Sequence, residues 1–322
     1  MSDSRSAEQF ARLQDLGWSA FFADQIAADE AALAPSRIDG VHRDRLTALT
    51  PDGRIEIVLP VRSDTGAFAV GDWVLADPAT RLLHRRLERR SLLQRAGEGR
   101  RPTQLVAANI DTLFIVASCN ADFNIARLER YLALANDAGT DPVIVLTKAD
   151  ATGDPARFVH QAAALQRDLP VVALNARSAT AAAALDQWCR AGATVALVGS
   201  SGVGKSTLVN ALVGGKWTQQ TGSVRESDAK GRHVTTSRSL HPMSGGGWVI
   251  DTPGMRSLHV KDVTEGIDTL FAEITELAPA CKFRNCTHDH EPGCAVRAAV
   301  AAGTVDPERL ARWRKLQAES RG

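Results

Sequence analysis

The sequence predicts a multidomain chain: a small N-terminal β-barrel, a central α/β domain on a parallel sheet, and a short, mostly helical C-terminal unit built around a metal. Three observations predict it. Short alternating apolar runs between turn signals fill residues 36–93. From Ile110 the pattern changes to continuous apolar strands alternating with helices. Beyond Asp262 the strands stop, and three cysteines crowd into residues 281–294.

Taken in order, residues 8–34 read as an amphipathic helical lead-in ended by Pro35. The runs RLTALT, RIEIVLP and AFAVGDWVLAD follow, separated by Pro51-Asp52-Gly53, Asp64-Thr65-Gly66 and Gly71-Asp72. Several short strands in so few residues make a small all-β unit; their pattern alone fits a five-stranded oligonucleotide-binding barrel, another small barrel or a sandwich. DTLFIVAS is apolar throughout, as a strand covered on both faces must be. The helix NIARLERYLALANDAG, the strand PVIVLTKAD, a helix near 155–168, the strand PVVALNA, a helix near 179–190 and the strand TVALVGS complete a set of βαβ units. Helices are expected at 267–278 and, begun by Asp306-Pro307, at 306–318. The expected boundaries are 1–35 for the lead-in, 36–100 for the barrel, 101–262 for the α/β domain and 263–322 for the metal-binding unit.

Of 322 residues 44% are apolar, enough for buried cores, which excludes wholesale disorder. No apolar run reaches the ~18 residues of a membrane-spanning helix. The N-terminus lacks a basic segment followed by an apolar one, so a cytoplasmic protein is expected. An odd count of five cysteines argues against a disulfide framework. Net charge is +1, but unevenly spread. Residues 1–36 carry two arginines and six acids, residues 81–101 eight arginines and two acids, and residues 281–322 eight basic groups and five acids. Two basic zones on a near-neutral chain suggest a polyanionic partner.

The chemistry is concentrated in the middle of the chain. Gly199-Ser200-Ser201-Gly202-Val203-Gly204-Lys205-Ser206-Thr207 fits the phosphate-loop pattern, between the strand TVALV and the helix TLVNAL. Glycines let backbone N–H groups curl around phosphates, and the helix N-terminus adds its positive dipole end. Lys205 is expected to reach the β- and γ-phosphates, and the Ser206 hydroxyl to ligate Mg²⁺. Thr147-Lys148-Ala149-Asp150 ends a strand, where open α/β sheets bind ligands. There Asp150 can accept from guanine N1 and its exocyclic amine together, and the Lys148 stem can lie along the base. Asp251-Thr252-Pro253-Gly254 places a carboxylate near the magnesium and a glycine N–H near the γ-phosphate. Thr235 and Thr236, in Gly231-Arg232-His233-Val234-Thr235-Thr236, are candidates to close over Mg²⁺. In ordinary GTPases the phosphate loop precedes the switch threonine, the D-x-x-G and finally the base-reading N/T-K-x-D. Here the base-reading motif comes first, and Asn175-Ala176 lies where a second guanine-contacting loop belongs. The parts are in rotated order, which defines a circularly permuted GTPase domain.

With those residues in hand, the chain resembles the small-subunit-dependent GTPases known as the RsgA or YjeQ family. The resemblance rests on AVGDWV at 69–74, RRSLLQR at 89–95, AANIDTLFIVAS at 107–118, RLERYL at 127–132, GSSGVGKSTLVNAL at 199–212, GRHVTT at 231–236, DTPGMR at 251–256 and the terminal Cys/His motif. It implies an oligonucleotide-binding (OB-fold) barrel, a permuted GTPase centre using GTP/GDP and Mg²⁺, and a zinc domain. It also implies binding to the small ribosomal subunit and its rRNA during late maturation. Cys281, Cys286, His288 and Cys294 supply three thiolates and an imidazole, a closed structural Zn²⁺ set, and the family's spacing selects His288 over His290. Cys119 and Cys189 are expected to be buried and inert. Departures from the family are informative. Thr147 stands where many relatives carry Asn, and so lacks the amide that contacts guanine N7 and braces the phosphate loop. Met255 follows DTPG where Ras-like enzymes place a water-orienting Gln, which leaves His233 as the candidate to orient water.

Two further expectations follow. Basal hydrolysis is slow and the ribosomal subunit accelerates it by ordering residues 222–236, and the barrel with residues 81–101 grips rRNA phosphates. A monomer that takes neither DNA nor membrane is expected.

Overall fold

The computed structural model describes residues 2–95, 97, 103–214, 239–251 and 262–321. The expected lead-in is not one helix. It comprises α1 (Ser2–Asp15), α2 (Ala20–Ala23) and a 3-10 turn at Ala28–Glu30. Gly17, at φ +91°, breaks the first from the second. Pro35 does not end a helix; it lies inside β1 (Ala34–Val41).

The all-β unit is a closed barrel. To β1 it adds β2 (Leu46–Thr50), β3 (Gly53–Ile57), β4 (Trp73–Ala76) and β5 (Leu83–Arg86). β1 pairs with both β2 and β4, β2 with β3, and β4 with β5. A bridge from Val58 to Leu82 closes the ring, giving the order 1-2-3-5-4-1 and deciding against a sandwich. The inward positions, Ile38, Leu46, Ala48, Ile57, Val74, Ala76 and Leu83, form its core. A separate hairpin, β6 (Leu92–Arg95) with β7 (Gln104–Ala108), spans the connection to the next unit.

The central sheet contains β8 (Thr112–Ser118), β9 (Asp141–Thr147), β10 (Val171–Ala173), β11 (Thr194–Val198), β12 (Ser239–Pro242) and β13 (Trp248–Asp251). Its order is β10-β9-β8-β11-β13-β12, parallel except for β12. The sheet runs on into the barrel where Ser239 of β12 pairs with Gly40 of β1. All seven residues of β8 are buried, because alternate side chains feed two cores. Leu113, Ile115 and Ala117 face a cluster with α3 (Ile125–Asp137) and α4 (Pro155–Ala163). Phe114 and Val116 face one containing Leu208 and Leu212 of α5 (Lys205–Val213). The segment expected as a helix at 179–190 is a 3-10 helix at Ala183–Trp188, seated through the buried Leu185. Asn124 caps α3 by accepting from the Arg127 N–H at 2.9 Å, and Asp154 caps α4 ahead of Pro155.

The C-terminal unit contributes α6 (Thr264–Leu270), α7 (Ala272–Thr275), α8 (Ala295–Ala301) and α9 (Pro307–Arg321). Gly266 lets α6 press against α3: a Cβ there would fall 2.0 Å from the Ala133 carbonyl oxygen. α9 is fastened by Arg309, whose guanidinium bonds to Glu129 (3.0 Å), Glu273 (2.7 Å) and the carbonyls of Leu165 and Leu270 (2.7 Å each), over the Phe271 ring. Glu129, only 2% exposed, also accepts from Arg312 at 2.9 Å. Replacing Arg309 by methionine leaves the buried Glu129 with Arg312 alone and frees the carbonyls of Leu165 and Leu270, and destabilisation of about 2–4 kcal/mol is expected. The urea midpoint measures it, and an unchanged midpoint would contradict this reading of the network.

The basic stretch 81–101 is partly consumed by folding. Arg85 is bidentate to Glu30 (2.6 Å each), Arg89 to Asp72 (2.6 and 2.7 Å), and Arg90 pairs with Asp111. The acidic lead-in and the basic stretch therefore neutralise each other in part.

Candidate functional site

The C-terminal ends of β9, β8 and β11 lie side by side, and the loops leaving them form the site. Val198 of β11 runs directly into the phosphate loop. Gly199, at φ +144°, has its Cα so close to β8 that a Cβ would sit 2.2 Å from the Val116 carbonyl oxygen. Only glycine permits that approach. Gly204, at φ +100°, then starts α5, so Lys205, Ser206 and Thr207 occupy its first turn. The Lys205 ammonium is folded into the loop, donating to the Gly199 and Ser200 carbonyls at 2.6 Å each.

The base-reading loop leaves β9. Lys148 adopts φ +57°, turning the chain so that Asp150 faces the loop's open side. The Ala149 N–H donates to the Leu174 carbonyl at 3.3 Å, tying this loop to the one that follows β10. In the latter, Asn175 Oδ1 accepts from the Arg177 N–H at 2.8 Å.

A cavity of about 310 Å³ opens between these loops. Thr147, Lys148, Asp150, Asn175 and Ala176 line it on one side, Gly202, Gly204 and Thr207 on the other. Thr147, Lys148 and Asp150 thus share one space with Gly202, Gly204 and Thr207, while Gly199, Ser200, Ser201, Val203, Lys205 and Ser206 do not line it. Arg177 and Ala151 also line it and were not among the sequence candidates. The signal available was adjacency alone, since both directly follow residues that were.

Thr147 behaves differently from expectation. The residue is 1% exposed, and its hydroxyl donates to the Val203 carbonyl, with the Ala117 carbonyl 3.1 Å away. The brace to the phosphate loop is therefore present despite the missing amide.

The remaining candidates are less fully placed. The Asp251 backbone ends β13, beside β11. His233, Thr235, Thr236 and Gly254 lie outside the described residues, as does the segment 222–236.

A second cluster sits at the C-terminal unit. One ligand atom each from Cys281, Cys286, His288 and Cys294 lies within 4.8 Å of the others. The Cys281 and Cys294 sulfurs are 3.8 Å apart, and His288 Nδ1 is 3.5 and 3.4 Å from them. A tetrahedral zinc ion with ordinary bond lengths requires ~3.8 Å between sulfurs and ~3.5 Å from sulfur to nitrogen, so the donor set fits. Backbone N–H groups at the start of α8 point at the sulfurs: Ala295 at Cys281 (3.3 Å) and Arg297 at Cys294 (3.4 Å). Such donors favour thiolate. His288 is buried against Trp313, whereas His290 is exposed and outside the cluster. Cys119 and Cys189 are buried, and desolvation raises both thiols, Cys189 to about 12. They carry no thiolate chemistry.

Fold and site together define a circularly permuted P-loop GTPase. Comparisons agree. The family model described as RsgA GTPase matches residues 86–261. The chain is 66% identical over 310 residues to the small ribosomal subunit biogenesis GTPase RsgA of Mesorhizobium japonicum, covering 96% of this chain and 90% of the relative. It is 46% identical to the small ribosomal subunit biogenesis GTPase RsgA 2 of Vibrio vulnificus, covering 95% and 87%. Among solved structures, YjeQ from Thermotoga maritima superposes with a TM-score of 0.63 at 23% identity (88% and 97% covered), and YloQ, a circularly permuted GTPase, with 0.64 at 24% (91% and 96%). The chain belongs to the RsgA GTPase family, and it is a GTPase.

Proposed function

We propose that this GTPase binds the small ribosomal subunit and its rRNA, assists late maturation of that subunit, and leaves when the subunit stimulates hydrolysis. The observation that carries the catalytic part is the shared cavity between Asp150 and the phosphate loop. Its span from a base-reading carboxylate to backbone N–H groups suits a purine triphosphate.

In this reading Asp150 selects guanine, with Lys148, Asn175 and Ala176 framing the base. Glycines 199, 202 and 204 with Ser200, Ser201 and Val203 offer the phosphates a ring of backbone donors, and Thr207 closes the first turn. Lys205 balances charge on the β- and γ-phosphates. Ser206 and Thr235 or Thr236 offer hard oxygen donors and Asp251 a carboxylate, a set suited to Mg²⁺, which when bound neutralises phosphate charge. Gly254 offers its N–H to the γ-phosphate. His233 orients the water that attacks phosphorus as the bond to the bridging oxygen breaks. At the other end, Cys281, Cys286, His288 and Cys294 hold zinc in a structural role, since four protein ligands leave no position for substrate. The domain boundaries expected from sequence serve as the working division. The protein acts as a cytoplasmic monomer; no helix among the described residues is long and apolar enough to cross a membrane.

The test is phosphate release with and without purified small subunits at two salt concentrations. Slow basal turnover, stimulated by subunits and less so at high salt, is expected. Fast turnover unchanged by subunits would refute it. Substituting Asp150→Asn removes the acceptor pair for guanine, so GTP affinity is expected to fall about a hundredfold and the preference over ATP to vanish. Competition binding measures both, and retained GTP preference would exclude Asp150 as the base reader.

A further inference from the structure

We propose that Arg127 is a positioning residue for GTP hydrolysis: through Ser200 it holds the phosphate loop in register with the C-terminal unit. Arg127 lies in the first turn of α3, where Asn124 fixes its backbone. Its guanidinium Nη1 is 2.7 Å from Ser200 Oγ. Tyr131, one turn further along the same face, is buried beside the same serine. Ser200 is also held from within, its carbonyl accepting from the Lys205 ammonium at 2.6 Å. One loop residue is thus joined by its side chain to α3 and by its main chain to the lysine of the phosphate site.

The same helix is also bound to the C-terminal unit. Arg130 is bidentate to Glu319 of α9, at 2.9 and 2.6 Å. Glu129 takes Arg309 and Arg312 of the same helix. Residues 127 to 131 therefore form a bracket from α9 to the phosphate loop. Arg127 is exposed, and a hydrogen bond there adds little to folding. What it does alter is where the Ser200 carbonyl lies, and with it the seat of the Lys205 ammonium. Charge stabilisation in phosphoryl transfer depends steeply on such placement.

The inference rests on the proposed role of Lys205, and the experiment separates the two. GTP hydrolysis by the full chain is measured for the unaltered protein, Arg127→Ala, Arg127→Lys, Ser200→Ala, the double variant Arg127→Ala with Ser200→Ala, and Lys205→Ala. Arg127→Ala and Ser200→Ala are each expected to lower kcat about three- to tenfold, with KM little changed and thermal melting unaltered. Arg127→Lys is expected to recover part of the loss. The double variant is expected to be no slower than the slower single, because both break one contact. Multiplied losses in the double variant would mean that Arg127 acts on the nucleotide directly, and would overturn the inference. Full activity in Arg127→Ala, with Lys205→Ala inactive, would overturn it while leaving the site intact. Activity in Lys205→Ala would instead remove the reading on which it rests.

Discussion

Lys205→Ala is expected to reduce GTP turnover by at least about a hundred- to a thousandfold, with or without ribosomal subunits. Charge on a triphosphate must be met by fixed positive groups, and Lys205 is the cation that the loop itself carries. Its ammonium already lies within the loop, bonded to the Gly199 and Ser200 carbonyls, so little reorganisation separates it from bound phosphate. Folding should be nearly unaffected, because the loop's shape is set by Gly199 and Gly204 rather than by the lysine. Single-turnover phosphate release measures the loss, and the thermal midpoint serves as the control. Turnover within threefold of the unaltered chain would rule Lys205 out of the chemistry.

The second large effect is expected on zinc removal. Chelation, or Cys294→Ser, should unfold the segment 281–294 and release α8, with loss of several kcal/mol, since structural zinc in small domains contributes about 10–16 kcal/mol of apparent binding energy. The segment has little core of its own: among its residues only His288 and Cys294 are buried, and both belong to the cluster. Without the ion, the Cys281 and Cys294 sulfurs, 3.8 Å apart, are joined only by a weak sulfur contact. Val296 and Val305, buried beside Leu310 and Leu316, would then lose their seat. Metal analysis of the purified chain, limited proteolysis and the unfolding midpoint before and after chelation test this. A metal-free chain of unchanged midpoint would refute the structural role.

The parts of the site that could be read from the sequence are those whose geometry is local. The phosphate loop is dictated by glycine spacing between a buried strand and a helix, and the zinc cluster by ligand spacing within 281–294. The convergence of Asp150 with that loop was inferable from motif order, because strand ends on one side of a parallel sheet must meet. Barrel closure was not, because which strand pairs with which depends on contacts such as Val58 with Leu82. Nor was the bracing role of Thr147, which side-chain chemistry alone misjudges; the distance to Val203 decides it. The stabilising ion pairs were hidden for the same reason. Arg309 finds Glu129 from 180 residues away, and the arginines of 81–101 look solvent-directed until Glu30, Asp72 and Asp111 are placed against them.

Arg37 carries a consequence for how this GTPase can move. It is 1% exposed, and burial lowers its pKa to about 10, so it remains a cation at neutral pH. Its guanidinium donates to the Leu16 carbonyl at 2.5 Å and to Thr194 Oγ1 at 2.7 Å, beside the Trp73 ring. One side chain of the barrel therefore rivets the N-terminal helix to the root of the strand that ends in the phosphate loop. Swinging the barrel away would drag a charge out of its only cradle, so no hinge belongs at that junction. Movement driven by nucleotide is therefore expected toward the far end of the chain, with the barrel and the sheet serving as its anvil.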